Sequence, residues 1–215
     1  MKTAIVIGAT GLVGSQLVRL LASSAEFGKI VTLTRRAMEV SSDKVENHVV
    51  DFDRLVDAAE LFTGDILFSC LGTTRKVAGS VDAQRSVDLD YQYAAAELAL
   101  QQGVQHYLLV SSSGANAFSR NSYLRMKSEL EVKIRALPFA RISIFQPSLL
   151  LGEREEFRLA EKIGGVVLPF VCRLPGLHAY RPIQACDVAS KMFFVATQSQ
   201  SSTIRVFRLD EVFPD

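Results

Sequence analysis

Gly8-Ala9-Thr10-Gly11-Leu12-Val13-Gly14 is the stretch on which the reading of this chain turns. It follows a short apolar run at 4–7 and opens a segment, 12–21, whose apolar residues recur at helical spacing. A glycine-rich turn from strand to helix aims backbone N–H groups and the positive end of the helix at an anion, the usual seat of a pyrophosphate. Gly8 permits the tight turn, Gly11 lets phosphates approach, and Gly14 lets helix and strand pack closely. The spacing is GxxGxxG rather than GxGxxG, so the general dinucleotide fingerprint is met only approximately. A glycine loop without a ligand is the plainer reading. The strand before it and the helix after it favour the nucleotide.

Outward from this loop, apolar runs alternate with helical patterns. Strands are expected at 30–34, 48–50, 66–69, 107–110 and 141–145, and helices at 83–102 and 121–136. Strands that are apolar throughout, separated by helices, imply a parallel sheet covered on both faces, the α/β doubly wound Rossmann arrangement. Beyond 149 the pattern weakens. A charged helix is expected at 153–162, an apolar loop at 164–175, a helix at 187–196 and a last strand at 204–209. With no repeat or low-complexity linker, the expectation is one domain over 1–215, with 149–182 as a lid or substrate-side insertion.

Composition narrows the function classes. The chain has 215 residues, of which 48% are hydrophobic and 22% charged, enough for a substantial core. Its 24 basic and 23 acidic residues leave a net charge of +1, so bulk electrostatics give no reason to expect nucleic acid. The three cysteines have no metal or disulfide spacing, which fits a reducing compartment. The apolar run after Met1 and Lys2 is too short for a signal peptide and reads as a buried strand. No stretch reaches the roughly 18 apolar residues of a membrane helix, so a cytoplasmic protein without a membrane partner is expected.

The nucleotide is read from the end of the second strand. A carboxylate there would hold the 2′-hydroxyl of NAD; the strand instead ends in Arg35-Arg36, whose guanidinium groups suit a 2′-phosphate. NADP(H) is therefore preferred over NAD(H), the alternative being a solvated basic turn. Asp51-Phe52 follows the third strand and either meets the adenine edge or, through Asp51, caps the next helix. Cys70-Leu71-Gly72-Thr73 closes the fourth strand beside the expected crevice, with Cys70 read as a small buried residue rather than a nucleophile.

Ser111-Ser112-Ser113 closes the fifth strand, and Tyr123 and Lys127 fall at i and i+4 on one face of the next helix. A tyrosine ordinarily titrates near ~10; an ammonium one turn away favours its ionised form. Tyr123 can then exchange a proton with a carbonyl or alcohol oxygen while hydride passes at carbon, with a serine hydroxyl on the same oxygen. Ser112 is preferred and Ser113 kept open. The plain alternative is an amphipathic helix carrying an exposed Lys127–Glu131 ion pair.

Taken together, GATGLVG (8–14), CLGTTR (70–75), VDLDY (87–91), SSSGA (111–115), YLRMKSELE (123–131) and QPSLLLGER (146–154) resemble the atypical short-chain dehydrogenase/reductases, closest to the Tat-interacting-protein-like oxidoreductases. RPIQACDVA (181–189) is similar to a PIxVxDVA segment of extended members. The resemblance implies a Rossmann core with NADP(H) and Tyr123 and Lys127 as the catalytic pair. Asp88 stands where extended members carry an asparagine that supports the lysine through water, and Tyr123 follows Ser112 by only 11 positions. The candidate cofactor residues are then Gly8, Thr10, Gly11, Leu12, Val13, Gly14, Arg35, Arg36, Asp51, Phe52, Cys70, Leu71, Gly72, Thr73, Tyr123, Lys127 and Pro147. Candidate catalytic residues are Ser112, Tyr123 and Lys127, with no metal ligands.

His48, His106 and His178 are scattered and read as structural. Val166–Val171 either walls an apolar pocket, meets a partner or fills the core, and Glu153, Glu155 and Glu156 read as a solvated helix start. Arg154 and Arg181 are either surface charges or contacts for an acidic substrate. Three functions compete: an oxidoreductase acting on a small carbonyl compound or its alcohol, an NADP(H)-sensing module that binds a protein partner without turnover, and an epimerase or dehydratase. A homodimer through the helices at 83–102 and 121–136 stays open.

Overall fold

The computed structural model of the chain describes residues 1–40, 42–151, 181–198 and 203–214. The strands are β1 (Lys2–Ile7), β2 (Phe27–Thr34), β3 (Val45–Val49), β4 (Ile66–Ser69), β5 (His106–Val110), β6 (Arg141–Gln146), β7 (Leu150–Leu151), β8 (Ile183–Gln184) and β9 (Ile204–Arg208). The helices are α1 (Leu12–Ser23), α2 (Arg75–Ala78), α3 (Val81–Arg85), α4 (Tyr91–Gln101), α5 (Ser122–Arg135) and α6 (Ala185–Thr197). Seven strands pair in the order β3-β2-β1-β4-β5-β6-β9, every neighbour parallel. This is the doubly wound Rossmann arrangement expected from the apolar runs. β7 and β8 form a separate parallel pair.

Burial follows the period of two along the strands. Ala4 and Val6 of β1 face one core with Leu17 and Leu21 of α1 and Val188, Met192 and Val195 of α6. Ile5 and Ile7 face the other core with Ala95 and Ala99 of α4 and Met126, Leu130 and Ile134 of α5. Both faces are thus covered, which is why the strands are apolar on both sides.

Three departures from the sequence expectations matter. β3 begins at Val45 rather than 48, because its pairing with β2 runs from Ile30 to Thr34. After it, Phe52–Phe62 forms tight 3₁₀ turns with non-helical breaks at Arg54 and Ala58. The helix expected over 83–102 is not uniform: α3 passes into α4 through a π turn at Ser86–Asp90. The helix expected at 153–162, the apolar loop expected at 164–175 and the 152–180 part of the expected lid, with His178, Arg154 and Cys172, lie outside the described residues. Arg181, at the edge of the described part, pairs with Asp210 at 3.2 Å and lies over the Phe213 ring. Among the described residues, no helix is long and apolar enough to cross a membrane, and no group of three or more His, Cys, Asp or Glu is placed to hold a metal.

His106 opens β5 inside the core, its Nε2 2.9 Å from Ser143 Oγ. Burial, reinforced by Arg141 and Lys2, lowers its pKa from 6.5 to about 3. The unfolded chain therefore takes up the proton first, and the stability present above about pH 6.5 is lost as the pH falls towards 3. The loss is about 1.4 kcal/mol per pH unit within that window. Denaturant titration of His106→Gln between pH 7 and 4.5 should show a flatter dependence than wild type; matching slopes would remove His106 as the cause.

Candidate active site

The site forms where the sheet order reverses, between β1 and β4, at the carboxyl ends of the strands. β1 ends at Ile7 and the chain turns at Gly8 with φ 80°, a conformation open to glycine. A Cβ at Gly8 would stand 2.5 Å from the Cys70 carbonyl, so the two strand ends touch through backbone alone. A Cβ at Gly14 would fall on the carbonyl oxygen of Gly8, so α1 rests directly on the loop. Gly11 donates to Gly8 O at 2.9 Å and caps α1 without any side-chain bond to the first turn. The loop is thus a bare backbone cradle at a helix N-terminus, which fits a pyrophosphate.

A cleft of about 410 Å³ opens beside it. Gly11, Leu12 and Val13 from the start of α1, Arg35 from the end of β2, and Cys70, Leu71, Gly72, Thr73 and Thr74 after β4 line it. Val77, Gln84, Val110, Ser111, Leu150, Tyr123 and Lys127 complete it. Of the expected cofactor residues, the cleft gathers Gly11, Leu12, Val13, Arg35, Cys70–Thr73, Tyr123 and Lys127. Gly8 and Gly14 shape the turn beneath it. Thr10 lines a neighbouring cavity of about 490 Å³ with Arg19 and Cys186.

Four expected residues are not brought to the cleft. Arg36 is exposed and lies outside its lining. Asp51 accepts from the Asp53 amide, so the capping alternative is the one realised. Phe52 is buried, its ring 5.6 Å from that of Tyr91. Pro147 is buried and its carbonyl accepts from the Ser113 amide at 2.9 Å.

Asn121 caps α5, accepting from the Tyr123 amide, and starts the helix so that Tyr123 and Lys127 share its inner side. Lys127 is 2% exposed, with Nζ 3.2 Å from Asp88 Oδ1 and 3.5 Å from Val110 O. Its Nζ is 5.8 Å from the centre of the Tyr123 ring. The exposed Lys127–Glu131 pair is therefore not formed. Glu131 is itself buried, accepting from Ser111 Oγ at 2.5 Å and from Gln146 Nε2, with Arg135 at 3.2 Å.

Among the serines, it is Ser111 that lines the cleft. Ser112 Oγ is turned to Ser113 O at 3.3 Å. Cys70 is desolvated, which pushes its thiol up to about 12 against the pull of Lys127 and keeps it protonated. Burial also raises the Asp88 carboxyl, opposed by Lys127, by the Thr73 amide and by Gln84. The candidate residues read from sequence missed Gln84, Thr74, Val77 and Leu150; of these, Thr74, in the quoted CLGTTR, and Leu150, in the quoted QPSLLLGER, left a signal.

Residues 8–145 match the model of an NAD(P)H-binding family. Protein FMP52-1, mitochondrial, of Scheffersomyces stipitis is 37% identical over 202 residues, spanning 92% of this chain and 89% of its own. Protein HTATIP2 of Rattus norvegicus is 40% identical over 164 residues, 74% of this chain and 67% of its own. Among solved structures, MoeE5 in complex with UDP-glucose and NAD superposes with a TM-score of 0.71 at 15% identity, over 98% of this chain and 79% of that one. The human epimerase family protein SDR39U1 with NADPH gives 0.64 at 16% identity, over 95% and 72%. These two likenesses speak to the fold. The cytoplasmic placement expected from composition is overturned, because relatives from four yeasts and moulds are named as mitochondrial proteins. The chain belongs to the NAD(P)H-binding family, among homologues of the FMP52 and HTATIP2 proteins.

Proposed function

We propose that this chain is a single-domain NADP(H)-dependent oxidoreductase acting on a small carbonyl compound or its alcohol, with Tyr123 as the acid/base. The observation that carries the reading is that one cleft joins the glycine cradle, Arg35, and the Tyr123–Lys127 pair. The bound cofactor would supply or accept the hydride at the substrate carbon. Around it, residues 11–13 and the N-terminus of α1 receive the pyrophosphate, and residues 70–73 line the same cleft. Tyr123 exchanges the proton with the substrate oxygen, and Lys127, buried one turn on, holds that end of the cleft in place. A serine hydroxyl completes the contact to the oxygen. Ser112 is the residue proposed for it, with Ser113 beside it, and reaching the oxygen requires Ser112 to leave its bond to Ser113 O.

Arg35 supports the preference for NADP(H), since it stands at the end of β2 and borders the cleft. Relatives of the same fold have been seen with NAD and with NADPH, so the fold alone does not choose between them.

Fluorescence titration with NADPH and NADH, followed by a panel of aldehydes and ketones with the preferred cofactor, tests the reading. Tight binding with oxidation of NADPH on any carbonyl is the expected result. Tight binding without turnover across the panel would move the site to the sensing function instead. Arg35→Ala should weaken NADPH about tenfold or more and leave NADH nearly unchanged, as expected for a lost charge-assisted pair worth ~1.5–3 kcal/mol. Arg36→Ala should do less, and equal losses for both cofactors at Arg35 would remove the 2′-phosphate assignment. Tyr123→Phe should keep NADPH affinity and lose turnover; retained turnover in that variant would exclude Tyr123 as the proton donor.

A further inference from the structure

Lys127 has only one carboxylate within reach among the described residues, and it is Asp88. The two are 2% and 0% exposed, and the ammonium stands 3.2 Å from Asp88 Oδ1. Asp88 does not hang free behind the lysine. Its other oxygen accepts from the Thr73 amide at 3.3 Å, and Gln84, itself buried, reaches Thr73 O at 3.3 Å. The carboxylate therefore ties α5 to the cleft wall after β4. A neutral amide in its place would keep the shape, would have one acceptor oxygen for the two donors Lys127 and the Thr73 amide, and would leave an ammonium unbalanced in a buried site.

The neighbouring charges do not supply that balance. Glu131 is engaged by Ser111, Gln146 and Arg135, Cys70 is held protonated by burial, and Arg85 is paired with Glu129. The oxidised and reduced forms of a nicotinamide cofactor differ by one positive charge on the ring. An unbalanced buried cation nearby would therefore act on one form and spare the other.

We propose that Asp88 is a positioning residue that fixes Lys127 and cancels its charge, so that the Tyr123 end of the cleft takes the oxidised and reduced cofactor without penalising the oxidised one. This rests on the cofactor reading given above. It assigns Asp88 an electrostatic task that an asparagine cannot perform, even where both residues hold the lysine in the same place. Asp88→Asn preserves the shape and removes the charge together with one accepted hydrogen bond, and a lost contact weakens both cofactor forms alike.

The test is the ratio of dissociation constants, NADP⁺ over NADPH, by titration of the full chain at neutral pH. Asp88→Asn should raise that ratio by a factor on the order of ten, the scale of one extra unit charge several ångströms away at an effective protein dielectric. Adding Lys127→Met to Asp88→Asn should return the ratio to the wild-type value, since both groups are then neutral. Absolute affinity falls in the double variant for both forms alike, so the ratio reads charge and not contact. Lys127→Met alone, measured at alkaline pH with the carboxylate ionised, should shift the ratio the other way. It provides an independent reading if Asp88→Asn does not fold. An unchanged ratio in a variant that still binds both forms overturns the proposal while sparing the cofactor reading. A wild-type chain that binds neither form overturns both.

Discussion

All seven strands of the main sheet run the same way, and that single constraint places everything else. Parallel strands need crossovers, the crossovers become helices on both faces, and the carboxyl ends of the strands gather on one edge. Connections after β1 and β4 leave that edge in opposite directions, so a crevice opens between them. The Gly8 turn and the Cys70 carbonyl meet in its floor with no side chain between them. Whatever lies in the crevice is met by the backbone of the glycine turn and by Tyr123 and Lys127.

The polar groups of the site are not loose additions to this frame. Two buried carboxylates, Asp88 and Glu131, stand behind it. Asp88 links α5 to the wall after β4, and Glu131 links α5 to the ends of β5 and β6 through Ser111 and Gln146. Burying such groups is costly unless each finds partners. Their partners here come from several different elements, so the cost is offset only when the whole arrangement is assembled. The site's rigidity and the fold's completeness are consequently the same condition.

The sheet, its winding and the glycine cradle were legible because they depend on local signals: apolar runs, helical spacing and glycines at a strand end. The Tyr123–Lys127 pair was legible for the same reason, as a spacing along one helix. What Lys127 pairs with was not, because Glu131 at i+4 and Asp88 at a distance of 39 positions are equally acceptable to a sequence, and only burial chooses between them. Arg35 and Arg36 could not be separated without the fold, which brings Arg35 and not Arg36 into the lining of the cleft. The serines were indistinguishable for a similar reason, since three in succession give no register. The cellular compartment was misjudged because composition records the demands of folding, and an address within the cell is a separate matter.

The π turn between α3 and α4 has a geometric consequence. Gln84, Asp88 and Gln92 follow one another at intervals of four, and all three are buried and polar. On an ordinary α-helix, two such steps would drift by about 80° around the axis, enough to carry the third residue off the line of the first. The wider turn at Ser86–Asp90 takes up part of that drift. Gln84 thereby reaches Thr73, Asp88 reaches Lys127, and Gln92 accepts from Ser69 at 2.7 Å, in one row beneath the end of β4. A single-residue deletion within that turn would make a more regular helix and a scrambled row, so the irregularity is what keeps three side chains in step.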